Sequence, residues 1–318
     1  MPPRTLESQL YLSGCDRVKR IGRQRKNRQR LPDRTLPTPS LLPARWLKTA
    51  ILLVTGACLL GLFSTEITDT DFWWHLKTGQ YMVERHSLQA PDQFAYTTSA
   101  PVAYQGEQQV RHFNLTHEWL SQVLMYLVYG VAGFPGIILV RAVLLATVCG
   151  LAGFLAARLS GNDYAGIAAA FAAASVLTAF AADRPSLISF LGVAVFVCLL
   201  ELRRGYWALP PLALLWSNCH GGFPLGWVVL LAYCAGTLPF RRDAPWAREG
   251  RQLWLVTVCA IAASGINPNG FGVVSTVFAY RRSPMTANLI EWRPPSLWGT
   301  PYGFDILLYT SALVLVLS

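Results

Sequence analysis

Six short polar clusters hold most of the groups in this chain that can do chemistry. In order they are DTDFWWH (69–75), HEW (117–119), DRP (183–185), SNCHGG (217–222), INPNG (266–270) and EWRPP (291–295). Asp69 and Asp71, one residue apart, are a carboxylate pair that can take a proton from a hydroxyl or hold a divalent metal such as Mg or Mn. The same pair can instead cap the helix that follows. His75 closes this first cluster, and His117 with Glu118 forms the second. Arg184 stands in a charged turn before Pro185. Asn218 and His220 lie beside Gly221 and Gly222, whose bare N–H groups suit an anionic oxygen. Glu291, Trp292 and Arg293 combine a carboxylate, an aromatic platform and a cation, a set that can grip a sugar or a diphosphate. INPNG reads first as a turn.

The elements that must position these residues are almost all hydrocarbon. Of 318 residues, 53% are hydrophobic and 14% charged, far below the quarter usual in soluble domains, so lipid is the predicted solvent for most of the chain. The fold class expected is all-α, a polytopic transmembrane helix bundle. Full or partial spans are predicted at Trp46–Phe63, Gly136–Ala157, Tyr164–Ala182, Ser186–Leu202, Tyr206–Trp216, Phe223–Phe240, Leu253–Ser264 and Phe304–Ser318. Trp119–Val131 is apolar but short, and is expected at the interface. DFWWHLKTGQYMV, with Phe72, Leu76, Gly79 and Val83 at helical spacing, predicts an amphipathic juxtamembrane helix, and the paired tryptophans suit the headgroup layer. Arg141 interrupts the second full span. An arginine at mid-membrane costs about 2.5–3.5 kcal/mol on insertion scales, so it is expected to face a cavity or a partner, or to snorkel to the interface.

Net charge is +10, and the basic residues crowd into the first 48 positions, around VKRIGRQRKNRQR. Residues 1–45 read as a disordered basic cytoplasmic tail drawn to anionic membrane lipids. No nucleic-acid-reading motif accompanies it, so nucleic acid is not an expected partner. Arg158, Arg203, Arg204, Arg241, Arg242, Arg248 and Arg251 fall in short loops on the tail's side, whereas basic residues opposite are spread over longer segments. The positive-inside asymmetry therefore predicts an N-terminus in the cytoplasm and all six polar clusters outside. Residues 46–318 form one membrane domain in this reading, with an outer loop at 64–118. The seven cysteines show no CxxC or zinc-finger spacing, and most sit inside apolar runs.

Taken in order, the clusters resemble a family of bacterial polytopic membrane proteins related to the GT-C glycosyltransferases. The resemblance spans about Trp46 to Pro295. It rests on Asp-x-Asp-x-Trp-Trp-His-Leu-x-x-Gly after the first helix, His-Glu-Trp-Leu, an Arg-Pro turn, an Asn-and-His-Gly-Gly segment, Asn-Pro-x-Gly and Glu-Trp-x-Pro-Pro. It implies a GT-C-like fold and a transferase that moves a sugar from a polyprenyl-phosphate carrier, a lipid-linked donor, to an acceptor at the outer face of the cell envelope. By position Asp71 is similar to the catalytic carboxylate, with Asp69 as its alternative. His117 and Glu118 resemble the stretch that contacts lipid phosphate, and Arg141 looks like a recurring arginine of such enzymes. Arg184, His220 and Arg293 are the candidates to steady the departing phosphate. Two departures stand out: Ser99–Thr116 is longer than the family's pattern, and the chain stops inside DILLYTSALVLVLS, as in a C-terminally shortened member. The competing readings are a non-enzymatic polytopic component for surface-polysaccharide assembly or export, and a transporter.

Overall fold

The computed structural model describes residues 44–88, 94, 100–237, 247–280 and 309–313. Glu291, Trp292, Arg293 and the basic tail before residue 44 lie outside the described residues. Every site residue described below belongs to one unit of the chain, Leu52–Ser318. Among the described residues the structure is all-helical, with no strand. Three helical stretches among the described residues are long and apolar enough to cross a membrane: Trp46–Phe63, Glu107–Ser160 and Asp163–Phe180.

In chain order the principal helices are α1 (Ala44–Phe63), α2 (Asp71–Arg85), α3 (Glu107–Thr116), α4 (Trp119–Ser160), α5 (Asp163–Leu177), α6 (Leu187–Glu201), α7 (Leu209–Cys219), α8 (Pro224–Gly236), α9 (Ala247–Ser264) and α10 (Gly272–Tyr280). The predicted break between Trp119–Val131 and Gly136–Ala157 falls inside α4. There Gly133 takes φ 61°, ψ −154° and Pro135 follows. Proline supplies no N–H and crowds the preceding turn, so two helices meet at this glycine instead of running through. Beyond the kink, α4 lies against α5 at a crossing of small residues. A Cβ on Gly153 would stand 2.7 Å from the Gly166 carbonyl oxygen, and one on Gly166 2.6 Å from that of Gly153, so glycine at both positions lets the backbones touch. The end of α1 joins this packing through Leu59 and Phe63, against Ala142, Leu145 and Cys149.

A second core gathers α6, α7, α8 and α9 around Phe196, Leu209, Trp216, Leu230 and Val256. Trp216 lies in a slot opened by two glycines: a Cβ on Gly192 or Gly226 would come within 2.6 or 2.9 Å of its ring. Its Nε1–H donates to Ser189 Oγ at 2.8 Å. This clasp holds the end of α7, where the backbone leaves the helix at an extended His220 (φ −162°, ψ 141°) and turns through Gly221–Gly222 before Pro224 opens α8. Pro210 and Pro211 sit in the first turn of α7, where a missing N–H costs nothing.

The helix predicted from DFWWHLKTGQYMV forms as α2, but its buried face is rotated from the expected one. Phe72, His75, Thr78, Gly79 and Met82 are buried, in place of Phe72, Leu76, Gly79 and Val83. The close approach of α4 decides this. A Cβ on Gly79 would fall 2.0 Å from the Gln122 carbonyl oxygen, and with Gly79 at that contact His75 is carried inward and Leu76 to the margin.

Candidate functional site

Five of the six polar clusters meet, although they come from segments as far apart as Asp69 and Asn269. Asp69 precedes α2 and accepts the Asp71 N–H at 3.2 Å, an aspartate turn that opens the helix although Thr70 makes no side-chain cap of its own. The Arg184 guanidinium reaches across from the turn before α6. Its Nε donates to Asp69 Oδ2 and its Nη2 to Asp69 Oδ1 at 2.9 Å, while Nη2 stands 3.0 Å from Asp71 Oδ2. The two carboxylates are exposed to different degrees: the Asp69 side chain is 8% exposed and that of Asp71 55%. Burial pushes the Asp69 carboxyl up, but the Arg184 hydrogen bonds and charge and the Asp71 amide outweigh it and hold the group below its ordinary value.

Arg141 has its partner. Its Nη1 pairs with Asp183 Oδ2, both side chains being 2% exposed. The rest of the guanidinium donates to the carbonyls of Phe63 (3.3 Å) and Thr65 and to Thr65 Oγ1 (3.1 Å). Of the three roles the sequence left open, the structure shows two together: Arg141 has a buried partner, and with Asp183 it lines an apolar groove. Arg141 staples the end of α1 and the DRP turn onto α4.

The second half of the site is built on Glu118, between α3 and α4. His75 Nδ1 lies 3.2 Å from its Oε1 and His117 Nε2 3.5 Å from its Oε2. Gln122, one turn further along, donates to Oε1 at 3.4 Å. His117 stacks on Phe113 with ring centroids 4.7 Å apart, and its Nδ1–H donates to the Phe113 carbonyl at 2.9 Å. The His220 ring stands 6.0 Å from that of His117. Its Nδ1 contacts Ser189 Oγ at 2.7 Å and accepts the Gly222 N–H at 3.1 Å. Burial pushes His220 down to about 4, so its imidazole is neutral at neutral pH.

A cavity of about 830 Å³ opens between these halves, lined by Asp71, His75, His117, Glu118, Arg184 and His220, with Gly221, Gly222 and Tyr280. Beside it runs an apolar groove of about 180 Å³, walled by Leu124, Val128, Val140, Leu144, Leu187 and Ile188. Arg184 and Pro185 line both spaces.

Asn218 belongs to the framework and not to the cavity wall. Its Oδ1 accepts Trp119 Nε1–H at 2.9 Å, and its Nδ2 donates to the carbonyls of Leu214 and Ile266 at 2.9 and 2.8 Å. The INPNG turn is structural in the same way: Asn267 Oδ1 accepts the Asn269 N–H at 2.8 Å, and the Asn269 amide bonds Thr116 Oγ1 at 2.9 Å. Sequence reasoning missed Ser189, Gln122 and Tyr280. Gln122 carried a usable signal as a lone amide in LSQVLMYLV, whereas Ser189 in LISFLGV looked like any tolerated hydroxyl in an apolar run.

Among the described residues, His117, Glu118 and His220 form a group with the donors and spacing of a metal site, their ligating atoms lying within 4.8 Å of one another. Asp69 and Asp71, the pair named for a metal from sequence, both engage Arg184. No protein family, curated protein or solved structure compared with this chain matches it. Among the described residues, fold and site define an all-helical protein with three stretches long and apolar enough to cross a membrane and a polar cavity bordered by an apolar groove.

Proposed function

We propose that this chain is a multi-pass membrane glycosyltransferase of GT-C type. It moves a sugar from a polyprenyl-phosphate carrier to a hydroxyl acceptor at the extracytoplasmic face, with the basic tail in the cytoplasm. The observation that carries the reading is the wall shared by the polar cavity and the apolar groove at Arg184 and Pro185. A lipid-linked sugar needs both environments side by side: hydrocarbon for the prenyl tail, a polar chamber for the sugar, and a cation at the seam for the phosphate. Arg184 stands at that seam with two carboxylates already in its grip.

The step is an inverting displacement. Asp71 takes the acceptor hydroxyl's proton as the oxygen attacks the anomeric carbon, and the carbon–oxygen bond to phosphate breaks with its electron pair leaving on the lipid phosphate. Asp71 is the exposed member of the acidic pair and lines the cavity. Asp69 is a positioning residue that holds Arg184. Arg184, with His117 and His220 across the cavity, faces the charge that grows on the leaving phosphate. Sequence separation is no obstacle, because the ends of α2, α4, α6 and α7 deliver these groups to one chamber. A transporter is less well supported: Arg141, the ionisable residue within the apolar part of α4, is held by Asp183 and by carbonyls.

The test is transfer from a labelled polyprenyl-phosphate sugar by purified protein in liposomes. Asp71→Asn is expected to lower turnover by about 10²–10⁴-fold, the usual worth of a general base, while donor binding persists. A wild-type protein that binds the carrier without ever releasing it sugar-free would be a scaffold, and full activity of Asp71→Asn would overturn the role of that residue.

A further inference from the structure

We infer that His117, Glu118 and His220 form a binding site for one divalent transition metal, zinc by preference, with its open position facing the cavity. The donors are two imidazoles and a carboxylate within 4.8 Å of one another. This is the ligand set of zinc sites that keep a fourth position for water or substrate. A zinc ion with bonds of about 2.0–2.2 Å at tetrahedral angles separates its ligand atoms by about 3.3–3.5 Å. His117 Nε2 and Glu118 Oε2 stand 3.5 Å apart.

Tautomers point the same way. A carbonyl oxygen only accepts, so the His117 proton directed at Phe113 sits on Nδ1, and the neutral ring turns its Nε2 lone pair toward the Glu118 carboxylate.

Each ligand is also aimed by a second group, the mark of a built metal site. Phe113 O holds His117. His75 and Gln122 engage Oε1 of Glu118 and leave Oε2 to point at His117. Ser189 Oγ holds His220 at Nδ1 and is itself fixed by Trp216. In the empty protein Nδ1 accepts the Gly222 N–H, so the His220 proton sits on Nε2. Loading moves that proton to Nδ1, where Ser189 Oγ accepts it and the Gly222 amide gives way. The two glycines make room for the rings: a Cβ on Gly221 would stand 2.7 Å from His117 Cδ2, and one on Gly222 2.9 Å from His220 Nδ1. The nitrogen donors exclude Mg as the preferred ion, since it takes oxygen ligands in octahedral geometry.

This inference does not depend on the transferase reading, and its readout is metal content. The full chain is purified in detergent, stripped with a chelator and dialysed against Zn(II) in excess Mg(II), and bound zinc is counted by mass spectrometry. One zinc per chain is expected for wild type, and none above background for His117→Ala or His220→Ala. Ser189→Ala is expected to weaken binding by about 10–100-fold, as loss of an orienting partner does. Co(II)-loaded wild type, which needs no variant to fold, should give a visible spectrum of nitrogen and oxygen ligation. A thiolate charge-transfer band, zinc retained undiminished by both histidine variants, or no zinc in wild type would each overturn the site.

Discussion

The two halves of the site handle charge in opposite ways. On the acidic side every carboxylate meets a guanidinium: Asp69 and Asp71 meet Arg184, and Asp183 meets Arg141. Arginine never loses its proton, so that half keeps one charge pattern at every pH where the carboxylates are ionised. On the histidine side a single carboxylate, Glu118, is shared among imidazoles whose charge depends on protons or on a metal. One half is a permanent brace, and the other is responsive by construction. The responsive half is also the one fitted with glycines, Gly221 and Gly222, that leave its rings room.

The largest effect expected from breaking this contrast is at Arg141. Arg141→Met leaves Asp183 buried and uncompensated and should cost about 3–5 kcal/mol, read as a lowered unfolding midpoint in detergent. Adding Asp183→Leu should recover part of that loss, because two apolar side chains leave no buried charge behind. A single variant as stable as wild type would show that the brace is not structural.

Next is Gly222→Ala, on the responsive side. The new methyl would meet Ser189 Oγ at 2.5 Å and His220 Nδ1 at 2.9 Å, an overpacking worth about 1–3 kcal/mol that should also displace His220. Gly56→Ala, where a Cβ meets nothing within 4 Å, serves as the neutral control in the same unfolding assay.

A pH series on chelator-treated protein separates the two halves. His220 is held down to about 4 from an ordinary 6.5. As pH falls below 6.5 the unfolded chain takes a proton that the folded chain refuses, and stability is lost progressively until about 4. Asp69 is held below its ordinary value, so its contribution is complete above the unfolded carboxylate range and disappears only as pH falls through that range toward the folded value. The wild-type unfolding midpoint should therefore begin to fall below 6.5, whereas His220→Asn should stay level until the carboxylates titrate. Identical profiles would place the first loss elsewhere.

Much of the scaffold was legible in the sequence. The Trp46–Phe63 span, the helix opening at Asp71, the break between Val131 and Gly136 and the INPNG turn follow from local causes: an unbroken apolar run, an aspartate bonding the next turn's amide, a glycine and proline that interrupt the i→i−4 ladder. Less legible was what each polar side chain does. Asn218 and Arg141 read as site residues because an amide or a guanidinium among apolar neighbours has to be satisfied somewhere. Both are satisfied by the protein itself, through Trp119 and Ile266 in one case and Asp183 and Thr65 in the other.

Residue type and spacing thus determined on their own the helical class, the apolar segments that suit lipid, and the short list of groups available for chemistry, because those depend on near neighbours and on the solvent. Tertiary structure alone decided that α2 turns His75 inward, that Arg184 binds both aspartates, and that His117, Glu118 and His220 converge while Asn218 does not. Those outcomes turn on which helices approach closely enough to touch, as at Gly79, Gly192 and Gly226. Such an approach is set by the fit between surfaces far apart in the chain.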